Sequence, residues 1–261
     1  MKNFNKFLLI GHEGYLGSYL LHNLECNILN SRILYDDGNN YNFIINCVGK
    51  PDIKFCESNP IFSQYSNCNI ISDIKKLYPK SKIINFSSYY VYDDYGLCTE
   101  FSKTSDSLIY SKHKLESEKL NNDGINFRLG KLFGNTFKTQ NKLTEIILNE
   151  KKLFLDDVSF NPVSVKCVCD ILKNIEFLSD NFGIFNLANE GIVSHYDYGK
   201  YIVDYLNLDT EIYKAQTNIK PFSNHGKFTM SLDKIKTFIN LRFWQDDMSE
   251  FLNLFKNSNY V

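Results

Sequence analysis

The sequence predicts an α/β fold, a doubly wound parallel sheet with a small C-terminal region, on three observations. Short apolar runs alternate with amphipathic stretches through the first half of the chain. A glycine-rich turn follows the first of those runs directly. The chain has 261 residues, 43% of them hydrophobic, enough to bury the core of such a sheet in one globular unit.

Taken in order, the apolar pattern predicts a strand over 7–10, a helix over 15–24, a strand ending near Leu29, a strand over 43–48, a helix over 61–77 and a strand over 82–86. A helix over 107–120, a strand over 125–129, helices over 142–150 and 165–178 and a strand over 182–187 follow. Strand alternating with helix is the signature of βαβ units in a parallel sheet. The last third is less regular, with helices expected over 196–206 and 244–255 and a polar turn over 221–226. It reads as a small covering region.

Charge and composition exclude several classes. The 29 Lys and Arg nearly balance the 30 Asp and Glu, so the basic face of a nucleic-acid binder is absent. No window holds the ~20 apolar residues of a membrane span, and the first residues lack a long apolar signal region, so a cytoplasmic protein is expected. The seven cysteines (26, 47, 56, 68, 98, 167 and 169) show no CxxC pair and read as free buried thiols. His12, His22, His113, His195 and His225 lack ligand spacing, so surface or capping roles are expected and no metal. The Asp93-Asp94 and Asp156-Asp157 pairs read as solvated turns.

After the first strand comes Gly11-His12-Glu13-Gly14-Tyr15-Leu16-Gly17, a GxxGxxG turn running into a helix. Gly11 permits the tight turn, Gly14 lets backbone N–H groups approach a pyrophosphate, and Gly17 allows close helix–strand packing. Tyr15 and Leu16 open the helix whose N-terminus favours the anion. The expected fold is therefore a Rossmann-type doubly wound sheet. Past the second strand, Asn30-Ser31-Arg32 stands where an NAD-selective site carries an acid. Arg32 suits the 2′-phosphate of NADP, and a surface arginine explains it equally well. NADPH is favoured, with NADH left open.

Tyr110 and Lys114 are four apart, hence on one face of a helix. A phenol with a pKa of about 10 is a poor acid–base group at neutral pH, and a nearby ammonium lowers that value. The strand over 82–86 runs into Ser87-Ser88-Tyr89-Tyr90, at the strand end where ligands gather in parallel sheets. Ser88 is placed to donate a hydrogen bond to the same carbonyl oxygen that Tyr110 protonates.

In order and spacing these residues resemble the extended short-chain dehydrogenase/reductase family, and within it the dTDP-4-dehydrorhamnose reductase group. Supporting stretches are Ile45-Asn46-Cys47-Val48-Gly49, Lys54 to Glu57, Asn67, Phe127 to Gly130, Asn161 to Ser164 with Asp170, and Ile184 to Ala188; Lys220-Pro221 and Ser231-Leu232-Asp233 look similar to two further elements. The resemblance implies a Rossmann domain over 1–130 with 162–188 and a substrate-binding region over 131–161 with 189–261. It implies catalysis by Ser88, Tyr110 and Lys114, and cofactor binding by Gly11, Gly14, Tyr15, Leu16, Gly17, Arg32, Cys47, Val48, Gly49, Tyr110, Lys114 and Gly130. Substrate contacts are expected from Ser88, Tyr89, Tyr90, Lys131 and Asn161.

The implied activity is NAD(P)H-dependent reduction of the C4 keto group of a nucleotide-activated 4-keto sugar, in sugar-nucleotide or surface-glycan biosynthesis. Related 4,6-dehydratases carry an Asp-Glu pair where this chain has Tyr89-Tyr90, and the fucose-synthase relatives carry a cysteine where it has Tyr90. Both comparisons favour simple reduction. A sugar-nucleotide 4-epimerase, or a cofactor-binding regulatory subunit without catalysis, are the alternatives. A homodimer is the family-level expectation.

Overall fold

Successive residues of a strand point to opposite faces, and in the first strand, β1 (Asn5–Ile10), both sets are apolar. Phe7 and Leu9 enter one core and Leu8 and Ile10 another. A strand buried on both faces belongs inside a sheet covered by helices on each side. The computed structural model, which describes residues 5–93, 96–134, 142–215 and 228–257, places it there. With β2 (Asn27–Leu29), β3 (Tyr41–Asn46), β4 (Lys82–Ser88), β5 (Ile125–Leu129) and β6 (Gly183–Leu187) it forms a six-stranded parallel sheet in the order 6-5-4-3-1-2.

The chain leaves β1 through α1 (Tyr15–Asn23) to β2 on one side, then returns past β1 to β3 on the other. All later strands extend the sheet in that second direction. The reversal opens a crevice at the carboxyl ends of β1 and β3, where open α/β sheets bind ligands.

One face of the sheet is covered by α1, α7 (Val165–Lys173) and α8 (Ile175–Asp180), with Leu16, Leu20, Val168 and Phe177 in the shared core. The other carries α2 (Ile53–Ser58), α3 (Pro60–Gln64), α4 (Ile70–Leu77) and α5 (Ile109–Leu120). The single helix expected over 61–77 is interrupted by a wider π-helical turn, Tyr65–Asn69. That turn brings the Asn67 amide beneath the backbone of Lys50, whose N–H donates to Asn67 Oδ1 (3.0 Å) and whose carbonyl accepts from Nδ2 (3.2 Å). The helix expected over 165–178 breaks at Asn174, whose Oδ1 accepts from Phe177 N (3.0 Å) and so caps α8.

Three buried asparagines cross the sheet in register, Asn46 on β3, Asn85 on β4 and Asn126 on β5. Asn46 Nδ2 donates to Asn85 Oδ1 (3.1 Å) and Asn85 Nδ2 to Asn126 Oδ1 (3.1 Å). Asn85 Nδ2 also reaches Ser117 Oγ (3.2 Å), which in turn donates to the Lys114 carbonyl (2.7 Å). Buried amides are stable only when satisfied, so this ladder fixes where α5 lies on the sheet.

A second apolar core gathers Phe133, Ile147, Phe160, Tyr198, Ile202, Trp244, Met248 and Phe251. Its helices are α6 (Lys142–Asn149), α9 (His195–Leu206) and Trp244–Asn257. The short strand pair of Lys131–Phe133 with Pro162–Ser164 joins the two cores, and Gly96–Cys98 pairs with Phe228–Met230 at the edge of the first. Lys220-Pro221, His225, Asp94 and the turn expected over 221–226 lie outside the described residues.

Candidate active site

The glycine turn closes on the crevice by contact as well as by conformation. Gly11 has a φ of 86°, in the left-handed region, and a Cβ there would lie 2.7 Å from the Cys47 carbonyl carbon and from Val48 N. A Cβ on Gly17 would lie 2.2 Å from the Gly11 carbonyl oxygen, so α1 can press against the turn only without one. At Gly14 the nearest atom would be 3.4 Å away, an ordinary contact. Gly14 caps α1 without a side chain, and no acidic residue stands in the first turn. The N–H groups that open the helix at Tyr15, Leu16 and Gly17 therefore keep their partial positive charge, as an anion site requires.

Cys47, Val48 and Gly49 continue from β3 along the other wall, with Cys47 N donating to Ile10 O (2.8 Å) and Val48 N to Asn46 Oδ1 (3.2 Å). Burial raises the Cys47 thiol well above its usual range, so it stays a neutral lining group. A Cβ on Gly49 would touch both Asn67 Oδ1 (3.2 Å) and Lys114 Nζ (3.4 Å), which puts bare backbone over the lysine. His12 Nδ1 and Ser87 Oγ are buried with no hydrogen-bond partner among the described residues. A polar ligand along the wall from the glycine turn to the end of β4 suits this set. Arg32 is exposed in the turn after β2, its N–H held by Asn30 Oδ1 (2.8 Å).

Tyr110 and Lys114 both lie on the buried face of α5, each 6% exposed. Lys114 Nζ donates to the Phe86 carbonyl of β4 (2.8 Å) and stands 5.9 Å from the centre of the Tyr110 ring. Burial pushes the Lys114 ammonium down to about 8. Burial also raises the Tyr110 phenol well above its ordinary value, and the Ser88 hydroxyl beside it works the other way. The sequence suggests an ammonium lowering the phenol, whereas burial is the largest influence on it and the opposing one comes from Ser88. The phenol is thus fully protonated at neutral pH.

Ser88 ends β4, and its Oγ accepts from Tyr90 N (3.2 Å). Tyr89 and Tyr90 form one short turn of 3₁₀ helix with Val91; their rings lie 4.6 Å apart, and Tyr90 meets Tyr110 edge-on at 6.4 Å. Ser111 Oγ donates to the Tyr90 carbonyl (2.7 Å), tying the turn to α5. Ser88, Tyr89, Tyr90, Tyr110 and Lys114 therefore converge.

Other residues singled out from the sequence have structural occupations. Both polar groups of the Asn161 side chain hold Met230, Nδ2 donating to its carbonyl (3.3 Å) and Oδ1 accepting from its N–H (2.8 Å). A Cβ on Gly130 would lie 2.2 Å from the Asn161 carbonyl oxygen, so glycine is required there by packing. His113 is buried, not a surface residue, and its Nδ1 meets Ser63 Oγ at 2.8 Å, joining α5 to α3. Lys131 reaches His195, which contacts Asp156, a chain the sequence gave no sign of.

Solved structures resemble this chain over nearly its whole length. A dTDP-4-dehydrorhamnose reductase from Clostridium acetobutylicum is 19% identical, with 96% of this chain and 99% of that chain covered and a TM-score of 0.79. The dTDP-4-dehydrorhamnose reductase of Bacillus anthracis in complex with NADP is 17% identical, with 95% and 99% covered and a TM-score of 0.82. RMD from Pseudomonas aeruginosa, complexed with NADPH, is 13% identical, with 97% and 98% covered and a TM-score of 0.78. At such identities the likeness establishes the doubly wound fold. No curated protein matches the chain in sequence. One family model does match, across residues 5–257 and so through the sheet and the second core alike, and the chain belongs to that family, the RmlD substrate binding domain.

Proposed function

We propose that the chain is an NAD(P)H-dependent reductase acting on the C4 keto group of a nucleotide-linked 4-keto sugar. The observation that carries this reading is the convergence of Ser88, Tyr110 and Lys114 at the end of β4, beside the crevice between β1 and β3. Membership of the RmlD family and likeness to reductases solved with NADP and NADPH support it. NADPH is the proposed cofactor, with Arg32 at its 2′-phosphate, the glycine turn and α1 at its diphosphate, and Gly49 and Lys114 toward the nicotinamide ribose.

When bound, NADPH supplies the hydride. Tyr110, kept protonated by burial, gives its proton to the carbonyl oxygen as negative charge develops there. The Lys114 ammonium stabilises the phenolate left behind, and Ser88 donates a hydrogen bond to the same oxygen. Sugar and base lie against Tyr89, Tyr90 and the second core.

The deciding experiment mixes the protein with NADPH and 4-keto sugars carried on dTDP, UDP, GDP and CDP, and follows the loss of NADPH absorbance. Turnover with at least one is expected. No turnover with any overturns the reading.

A further inference from the structure

Three side chains from separate segments form a hydrogen-bonded chain beyond the end of β5. Lys131 Nζ lies 2.9 Å from His195 Nε2, and His195 Nδ1 lies 2.7 Å from Asp156 Oδ1. An ionised carboxylate only accepts, so Nδ1 carries the imidazole proton and donates it. Nε2 then presents a lone pair, into which the ammonium donates. Burial lowers the His195 pKa, with the nearby Lys131 charge acting the same way, and this keeps the ring neutral. Lys131, also pulled down by burial, to about 8, remains an ammonium at neutral pH.

One of its three N–H groups is thus engaged, and Nζ lies 5.0 Å from the centre of the Phe160 ring. Among the described residues Lys131 has no ion pair of its own: its hydrogen-bond partner is a neutral imidazole, and Asp156 lies beyond that ring. Lys131 is half-buried; a partly desolvated cation without a contacting anion carries a cost that an arriving anion lowers. The position fits a ligand. Leu129 pairs with Ser88 across the sheet, and Lys131 follows two residues later, roughly 7 Å farther along at ~3.3 Å per residue.

We infer that Lys131, oriented by His195 and Asp156, recognises an anionic group of the sugar nucleotide, either a carboxylate on the sugar or an oxygen of the diphosphate. This rests on the sugar-nucleotide reading above and narrows its substrate class. Lys131 is the contacting residue; His195 and Asp156 are positioning residues.

Calorimetric titration of the NADPH-saturated protein tests it, using UDP, dTDP, GDP and CDP, their glucose derivatives and their glucuronic acid derivatives. Lys131→Met, or Lys131→Gln should the first variant fail to fold, is expected to weaken binding roughly tenfold or more. Lys131→Arg is expected to preserve it, and His195→Gln, which can still accept from the lysine, to lose less than His195→Phe. A loss confined to the glucuronic acid derivatives assigns the site to a sugar carboxylate. An equal loss for every ligand, bare nucleotides included, assigns it to the diphosphate. Unchanged affinity for all of them in a folded neutral variant overturns the inference while leaving the reductase reading intact. Absence of binding by the unaltered protein overturns the sugar-nucleotide reading, and this inference with it.

Discussion

Lys114 sits one helical turn after Tyr110 on α5, its ammonium 5.9 Å from the phenol ring and hydrogen-bonded to the end of β4. In the proposed mechanism the two groups have separate roles: the phenol holds the proton and the ammonium stabilises the charge the proton leaves. Tyr110→Phe is therefore expected to reduce turnover by ~10²–10⁴-fold while NADPH affinity, read by fluorescence titration, stays close to that of the unaltered protein.

The same pair sets a pH dependence. Lys114 is protonated below about 8 and loses its charge above it. Turnover is expected to fall as pH rises through that value, because the phenolate then lacks its counter-charge. Stability responds in the opposite sense. From about 8 to 10.5, the unfolded chain holds a proton on this lysine that the folded chain has released, so its contribution to stability rises with pH. Lys114→Met is expected to abolish turnover and to flatten that part of the stability profile in urea titrations; a profile matching the unaltered protein counts against the assignment.

The glycine turn yields a contrast between neighbours. A methyl at Gly17 meets the Gly11 carbonyl, whereas one at Gly14 meets the protein at ordinary contact distance. Gly17→Ala is expected to lower the melting temperature. Gly14→Ala is expected to leave it nearly unchanged and to weaken NADPH binding, since the added methyl stands where the proposed cofactor site puts the diphosphate. Full NADPH affinity in Gly14→Ala would show that the diphosphate does not lie there.

Behind the site, Arg128 makes a two-pronged pair with Glu118 on α5, Nε to Oε1 at 2.9 Å and Nη2 to Oε2 at 2.7 Å, both side chains 4% exposed. Arg128→Met leaves a buried carboxylate alone and is expected to lose ~3–5 kcal/mol in urea unfolding. Adding Glu118→Leu should recover most of it.

Asn85→Ala removes the middle member of the asparagine ladder and leaves Asn46 Nδ2 without its partner, while Asn126 Oδ1 still accepts from Asn121 Nδ2 (3.2 Å) and Ser117 Oγ still donates to the Lys114 carbonyl (2.7 Å). A loss of ~1–3 kcal/mol for the group left unsatisfied is the upper expectation, read from the same unfolding curves.

What the sequence disclosed follows the range over which each feature acts. The turn from Gly11 to Gly17 and the Tyr110–Lys114 pair are local patterns, so spacing alone reveals their geometry. The ladder is spelled only by single asparagines in three strands, visible once register is known. Lys131 and His195 are 64 positions apart, and His195 and Asp156 are 39, so no periodicity links them. The packing of Asn161 against Met230 and of Gly130 against Asn161 pairs residues far apart in the chain, so spacing gave no sign of it. The interruption in the helix expected over 61–77 left no trace in the sequence because Tyr65–Asn69 holds neither Gly nor Pro to mark a break.

The second core has a further consequence during synthesis. Ile147 on α6 belongs to one core with Tyr198 and Ile202 on α9 and Met248 on the last helix, and β6 is made in between. At ~5–20 residues per second, α6 leaves the ribosome seconds before its partners exist. The nascent chain must keep that apolar face from sticking elsewhere over the interval, a demand on chaperones that the finished fold no longer displays.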